Sequence, residues 1–232
     1  MAAGNRLAAI LPSGEPPGRC PYLLGGLTAL LASFPFLEDV AGPLILIIPV
    51  ATIFVACVAV VDSGGYRLTR RAVVIAAVQI FFTVLSLLLR TARTRYLISV
   101  TLGLAASVAL ILFATYCVLG YVLRARAITR DQIYAGICMY LMLGFAFGAI
   151  YYLMNILDPN SFSMSKPLPG RDTPDLMYFS FVTLATLGYG DITPNSNAAR
   201  SLAVVEALAG MLYIAIFMAR LVSMRSTNDG LE

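Results

Sequence analysis

Thr183-Leu184-Ala185-Thr186-Leu187-Gly188-Tyr189-Gly190-Asp191 is the stretch whose reading decides the fold of this chain. Gly188 and Gly190 alternate with residues that carry side chains, and they give the backbone access to angles those residues avoid. Just upstream, Thr173-Pro174-Asp175 has helix-start chemistry: a capping hydroxyl, a proline at the first position and an acid near the positive dipole end. The apolar segment Leu176 to Ala185 that follows is far shorter than the roughly 20 residues a spanning helix needs. Ile192-Thr193-Pro194 ends the loop, and long apolar runs lie on both sides, Gln132 to about Leu157 before and Ala198 to Met224 after. Irregular backbone at membrane depth is tolerated only where it is buried in protein or lines a water-filled path. Carbonyls from such a loop, with a threonine hydroxyl below them, can replace the hydration shell of a cation. The carboxyl end of the short helix favours a cation at the same place.

Composition narrows the alternatives. Of 232 residues, 59% are apolar and 12% charged, and the mean hydropathy is +0.85. Soluble domains carry about 25% charged residues, and disordered chains need low hydrophobicity, so a polytopic membrane protein remains. The net charge of +4 sits in small basic clusters between apolar runs, a membrane-surface pattern rather than a nucleic-acid footprint. Histidine is absent. That removes histidine bases, Ser-His-Asp and Cys-His nucleophile systems and most transition-metal sites. Cys20, Cys57, Cys117 and Cys138 form no CxxC pair, so neither a disulfide framework nor a metal site is indicated, and no cofactor is implied. With no nucleophile elbow and no paired acids in a span, an enzyme is not expected.

Working outward, the first 21 residues are Pro- and Gly-rich and read as a flexible terminus. Apolar runs then cover Tyr22 to Leu37, Leu44 to Val61, Ala72 to Leu89 and Tyr96 to Leu123, the last with 28 uncharged residues. The first run is short and holds Gly25, Gly26 and Pro35. Together with the two runs flanking the short helix, six transmembrane helices are expected. Residues 1–130 then form a four-helix transmembrane domain, and 131–232 form a second unit around the re-entrant loop.

Thr183 to Asp191 resembles the selectivity-filter region of the potassium channel family, whose pore domain sets two helices around one re-entrant loop. TxxTxGYGD after a capped short helix and before a glycine-containing span carries the resemblance, within a context from about 132 to 224. The resemblance implies an all-α membrane protein with a tetrameric pore, a homotetramer, since each chain holds one filter sequence. It implies K⁺ held at the carbonyls of Thr186, Leu187, Gly188, Tyr189 and Gly190 and at the Thr186 hydroxyl, with Asp191 just outside and Thr183 supporting the filter from the pore helix. Leu187 stands where valine is more usual, and Met177-Tyr178-Phe179 replaces the common tryptophan pair, so the packing behind the filter is a variant. Gly210 matches the family's hinge glycine, with helix–helix packing as the competing reading. Met211, Ile214, Met218 and Val222 match inner-cavity or gate positions. Gly144-Phe145-Ala146-Phe147-Gly148 is a GxxxG, more often a close helix contact.

Glu206 is an acid inside a span, where a carboxylate is costly and usually faces a cavity or a polar partner. Two readings stand: it bonds the pore helix or filter backbone and tunes the filter, with pH among the influences, or it is a permanently protonated structural acid. Arg90, Arg93 and Arg95 bunch at one end of an uncharged run, whereas a voltage sensor spreads charges along its helix, so strong voltage gating is not expected. With the filter loop outside, both termini fall in the cytoplasm and basic residues divide ten inside to six outside. The expected function is passive, selective K⁺ conduction across the plasma membrane, with lipid and K⁺ as partners and an unidentified regulatory partner allowed. A weakly selective cation channel and a membrane subunit of a K⁺ uptake transporter are the alternatives. Eight residues follow the last run, so gating is expected in the filter, the last span, the four-helix domain or a partner.

Overall fold

A computed structural model describes residues 20–33, isolated helical positions between 74 and 85, and residues 93–124, 129–164 and 172–229. The second apolar run, the basic loop near 62–71, the ends of the third run and the segment 165–171 lie outside the described residues. In chain order the elements are α1 (Cys20–Ser33), α2 (Arg93–Arg124), α3 (Arg130–Leu157), β1 (Phe162–Met164), α4 (Asp172–Leu184), β2 (Ile192–Pro194) and α5 (Asn197–Asp229). Three helices among the described residues are long and apolar enough to cross a membrane, over Ile98–Leu123, Arg130–Leu157 and Asn197–Ser223. They correspond to the fourth, fifth and sixth apolar runs. α1 realises the first run as a helix of 14 residues, and α4 is the expected short helix, beginning at Asp172, one residue before the expected cap.

α3 is the hub, packing against α1, α2, α4 and α5. Its start is fixed by a capping box: the Thr129 hydroxyl accepts from the Gln132 N–H at 3.3 Å, and the Gln132 side chain accepts from the Thr129 N–H at 3.4 Å. Asp131 in the first turn ties two other helices to this end. Its Oδ1 accepts from the Cys20 N–H, an orphan donor at the start of α1, and its Oδ2 accepts from the Tyr121 hydroxyl of α2, both at 3.0 Å. At the same end Arg220 of α5 donates to the Leu123 carbonyl in the last turn of α2 at 2.6 Å, a cation at a negative helix end.

In lipid there is little hydrophobic gain from bringing apolar helices together, so close packing and interhelical hydrogen bonds must hold the bundle. Glycines of α3 supply the closeness. A Cβ at Gly136 would run into the Phe217 ring, one at Gly144 would lie 2.5 Å from the Phe181 ring, and one at Gly148 would strike the Met177 side chain. The Gly144–Gly148 pair is therefore a seat for the short helix α4. β1 and β2 pair antiparallel, Phe162 with Pro194, Ser163 with Thr193 and Met164 with Ile192. The sequence reading did not foresee these strands: three residues each carry no period to read.

Candidate functional site

α4 ends in a way that shapes everything after it. The Leu187 N–H bonds the Val182 carbonyl at 2.8 Å and the Thr186 N–H bonds the Thr183 carbonyl at 2.9 Å, the paired bonds of a Schellman motif. That motif puts its last residue in the left-handed region, usually a glycine, and here Thr186 has φ of 57°. The same hand recurs at Gly188 (58°) and Gly190 (79°), while Leu187 and Tyr189 keep negative φ. Residues of alternating hand bring successive carbonyls to one side of an extended chain, which is the arrangement a carbonyl ion site requires. Sequence reasoning identified the two glycines and missed the third turn, because threonine seldom takes this conformation.

Thr186 through Asp191 are exposed within one chain, with Leu187 at 56% and Tyr189 at 65%. A Cβ at Gly188 or Gly190 would meet nothing within 4 Å. The loop is nonetheless anchored at both ends. Beyond it, β2 pairs with β1, the Asn195 N–H donates to the Ser161 carbonyl at 2.8 Å, and Arg200 Nε donates to the Pro194 carbonyl at 3.2 Å. At its side, the Tyr178 ring stacks on Tyr189 with centroids 6.5 Å apart and planes 9° from parallel. Local desolvation, then the hydrogen bond to Asp191, raise the Tyr178 phenol above its ordinary value, so it stays a donor to that carboxylate.

The three residues in place of the tryptophan pair divide the work. Met177 is buried against Gly148, Tyr178 faces the loop, and Phe179 packs edge-on with Tyr151 (5.2 Å) and Phe162 (5.5 Å). Thr183 contributes its carbonyl to the helix end. Gly210 of α5 lies where a Cβ would come within 2.5 Å of the Leu184 carbonyl, and the same carbonyl accepts from the Tyr140 hydroxyl at 3.1 Å. A close approach thus requires glycine here. Met211, Ile214, Met218 and Val222 are all exposed in the single chain.

Glu206 is fully buried behind α4. Its Oε2 lies 2.6 Å from the Tyr151 hydroxyl of α3 and its Oε1 2.5 Å from Ser180 Oγ of α4, which in turn is 2.7 Å from the Gly144 carbonyl. The carboxyl thus bonds a side chain of the short helix α4, with the backbone of Thr186 to Gly190 one element removed. Tyr151, Ser180 and Tyr140 were not singled out from the sequence. A serine among apolar residues of α4 and an acid in a span were the two signals present, and nothing local paired them.

Residues 139–226 match a family model described as an ion channel. The chain is 34% identical over 85 residues to two pore potassium channel c of Oryza sativa subsp. japonica, covering 37% of this chain and 18% of that protein. It is 34% identical over 99 residues to two-pore potassium channel 3 of Arabidopsis thaliana, covering 43% and 20%. It is 30% identical over 99 residues to protein LctB of Bacillus caldotenax, covering 41% and 73%. The chain thus spans about a fifth of the length of those two plant relatives.

Proposed function

This chain belongs to the potassium channel family, a family of non-enzymatic ion channels, and from that premise we propose that four copies form a pore conducting K⁺ passively through the carbonyls of Thr186 to Gly190. The observation that carries the proposal is the alternation of hand at Thr186, Gly188 and Gly190, directly after a short helix whose carboxyl end points at the same residues. One chain leaves this loop exposed, and only further copies around an axis would close the carbonyls into a ring. Burial supports the same assembly: 11% of the most apolar stretch of α5 is buried within the chain, against 56% for α3.

In this reading residues 131–232 are the pore unit, Asp191 stands at the outer mouth, and Gly210, Met211, Ile214, Met218 and Val222 line the path toward the inner end. Residues 1–130 form the four-helix domain beside it, and the membrane is the plasma membrane with both termini cytoplasmic. The meeting of Cys20 with Asp131 supports an α1 that starts at the same membrane face as α3.

Reversal potential in a planar bilayer, with K⁺ on one side and Na⁺ on the other, tests the proposal. A potential near the K⁺ equilibrium value is expected. A value near zero with clear current would mean a weakly selective cation channel, and flux that needs ATP or a coupled ion would mean a transporter subunit.

A further inference from the structure

The cluster around Glu206 can be counted proton by proton. Three short oxygen–oxygen contacts run in series: Tyr151 hydroxyl to Glu206 Oε2, Glu206 Oε1 to Ser180 Oγ, and Ser180 Oγ to the Gly144 carbonyl. Each contact at 2.5–2.7 Å needs a proton between its oxygens, because two lone pairs at that distance repel. A carbonyl supplies none, and each hydroxyl supplies one. The Gly144 carbonyl can only accept, so the Ser180 proton is committed there. The Tyr151 proton covers its own contact with Oε2. Two hydroxyl protons therefore serve two of three contacts, and the proton between Oε1 and Ser180 has one source left, the carboxyl group itself.

We infer that Glu206 is a neutral carboxylic acid in a directional chain, Tyr151 to Glu206 to Ser180 to Gly144, that positions the pore helix against the outer and inner helices. A carboxylate in its place would leave one short contact without a proton, in a fully buried site where its partners among the described residues are both neutral hydroxyls. The arrangement satisfies every contact: Tyr151 donates to the acid, the acid donates to Ser180, and Ser180 donates to the Gly144 carbonyl. It is also polar in a direction that α4 can feel. Ser180 lies just under one turn before Thr183 and under two turns before Thr186, whose backbone bonds close the helix end, so a shift of Ser180 moves the origin of the loop. Glu206 is thus a positioning residue and touches no ion.

The role in positioning rests on the proposed filter, whereas the proton count does not, and the experiment separates them. Infrared difference spectra of the full chain in lipid at neutral pH, wild type against Glu206→Gln, read the protonation directly. The expected result is loss of a carboxylic-acid C=O stretch; loss of carboxylate stretches instead would overturn the inference. Ser180→Ala removes the acceptor of the acid proton, so the same C=O band should move in that variant, and an unmoved band would equally overturn it. Flux tests positioning. A carboxamide can accept from Tyr151 and donate to Ser180, so Glu206→Gln should retain more K⁺ flux than Glu206→Ala, by about tenfold, since alanine leaves the buried Tyr151 hydroxyl without its acceptor and Ser180 without its donor. Equal flux in the two variants would remove the positioning role. A wild-type chain that passes no K⁺ would defeat the conduction reading and leave the infrared result to stand or fall alone.

Discussion

Thr186 occupies a backbone conformation that its side chain disfavours. A β-branched residue at positive φ is an outlier, and such strain persists where surrounding structure over-determines it. Here the determining structure is the helix end: two backbone bonds from Val182 and Thr183 fold the chain over at Thr186 regardless of its side chain. A threonine in that place supplies a hydroxyl that glycine would not, which is the group a cation site uses below its carbonyls. Gly188 and Gly190 continue the alternation without strain. Gly188→Ala tests whether φ, rather than space, is what matters there. A Cβ at Gly188 meets no atom within 4 Å of its own chain, so any effect within one chain comes from forcing the left-handed conformation, about 1–2 kcal/mol per residue. In the proposed tetramer the penalty recurs in each of the four copies. K⁺-selective flux should be lost, and a reversal potential that stays at the wild-type value would sink this account.

Between the elements, closeness takes the place that hydrophobic burial has in water. α4 can lie against α3 because Gly144 and Gly148 present no side chains to Phe181 and Met177. Gly148→Leu would push against both the Met177 side chain and its Cα, which lies 3.2 Å from an added Cβ. Overpacking of this kind costs about 1–3 kcal/mol, and lipid offers no compensating burial. The thermal midpoint of the assembled protein should fall and K⁺ flux with it; an unchanged midpoint would mean that α4 finds another seat. How far the sequence announces these elements depends on how local their causes are. The TxxTxGYGD loop, the short helix and the flanking spans are legible because each is specified by neighbours in the chain. The Schellman end of α4 is half legible, since threonine stands where glycine would have advertised it. The Glu206 cluster is not legible beyond its acid: Tyr151 lies 55 positions away and Ser180 lies 26 away, and only packing brings them together. The β1–β2 pairing is likewise a product of the fold, joining residues about 30 apart with three positions each.

At the scale of the whole molecule, two surfaces of the described residues call for partners. Among the described residues, no other element covers the exposed apolar side chains of α5 from Val204 to Val222, and the loop from Thr186 to Asp191 is exposed. Lipid can cover part of α5, but it cannot pair with carbonyls turned to one side of a backbone. A ring of four loops solves that problem only if something sits among the carbonyls, because like dipoles facing one another repel. In the proposed assembly K⁺ fills that place, and it then acts as a ligand of the assembled state and not of separated chains. Such a ligand stabilises the assembly by RT ln(1 + [L]/Kd), about 2.7 kcal/mol at a hundredfold excess over Kd. Removing K⁺ by dialysis into a large organic cation that cannot enter the ring should therefore lower the temperature at which the proposed assembly dissociates. The fall should grow with the logarithm of the K⁺ concentration removed, and restoring K⁺ should reverse it. Na⁺ at the same concentration should restore less, in proportion to how strongly the loop prefers K⁺. A dissociation temperature indifferent to K⁺ would mean that the carbonyls are satisfied by water or by protein, and the assembly would then owe its stability to α5 alone.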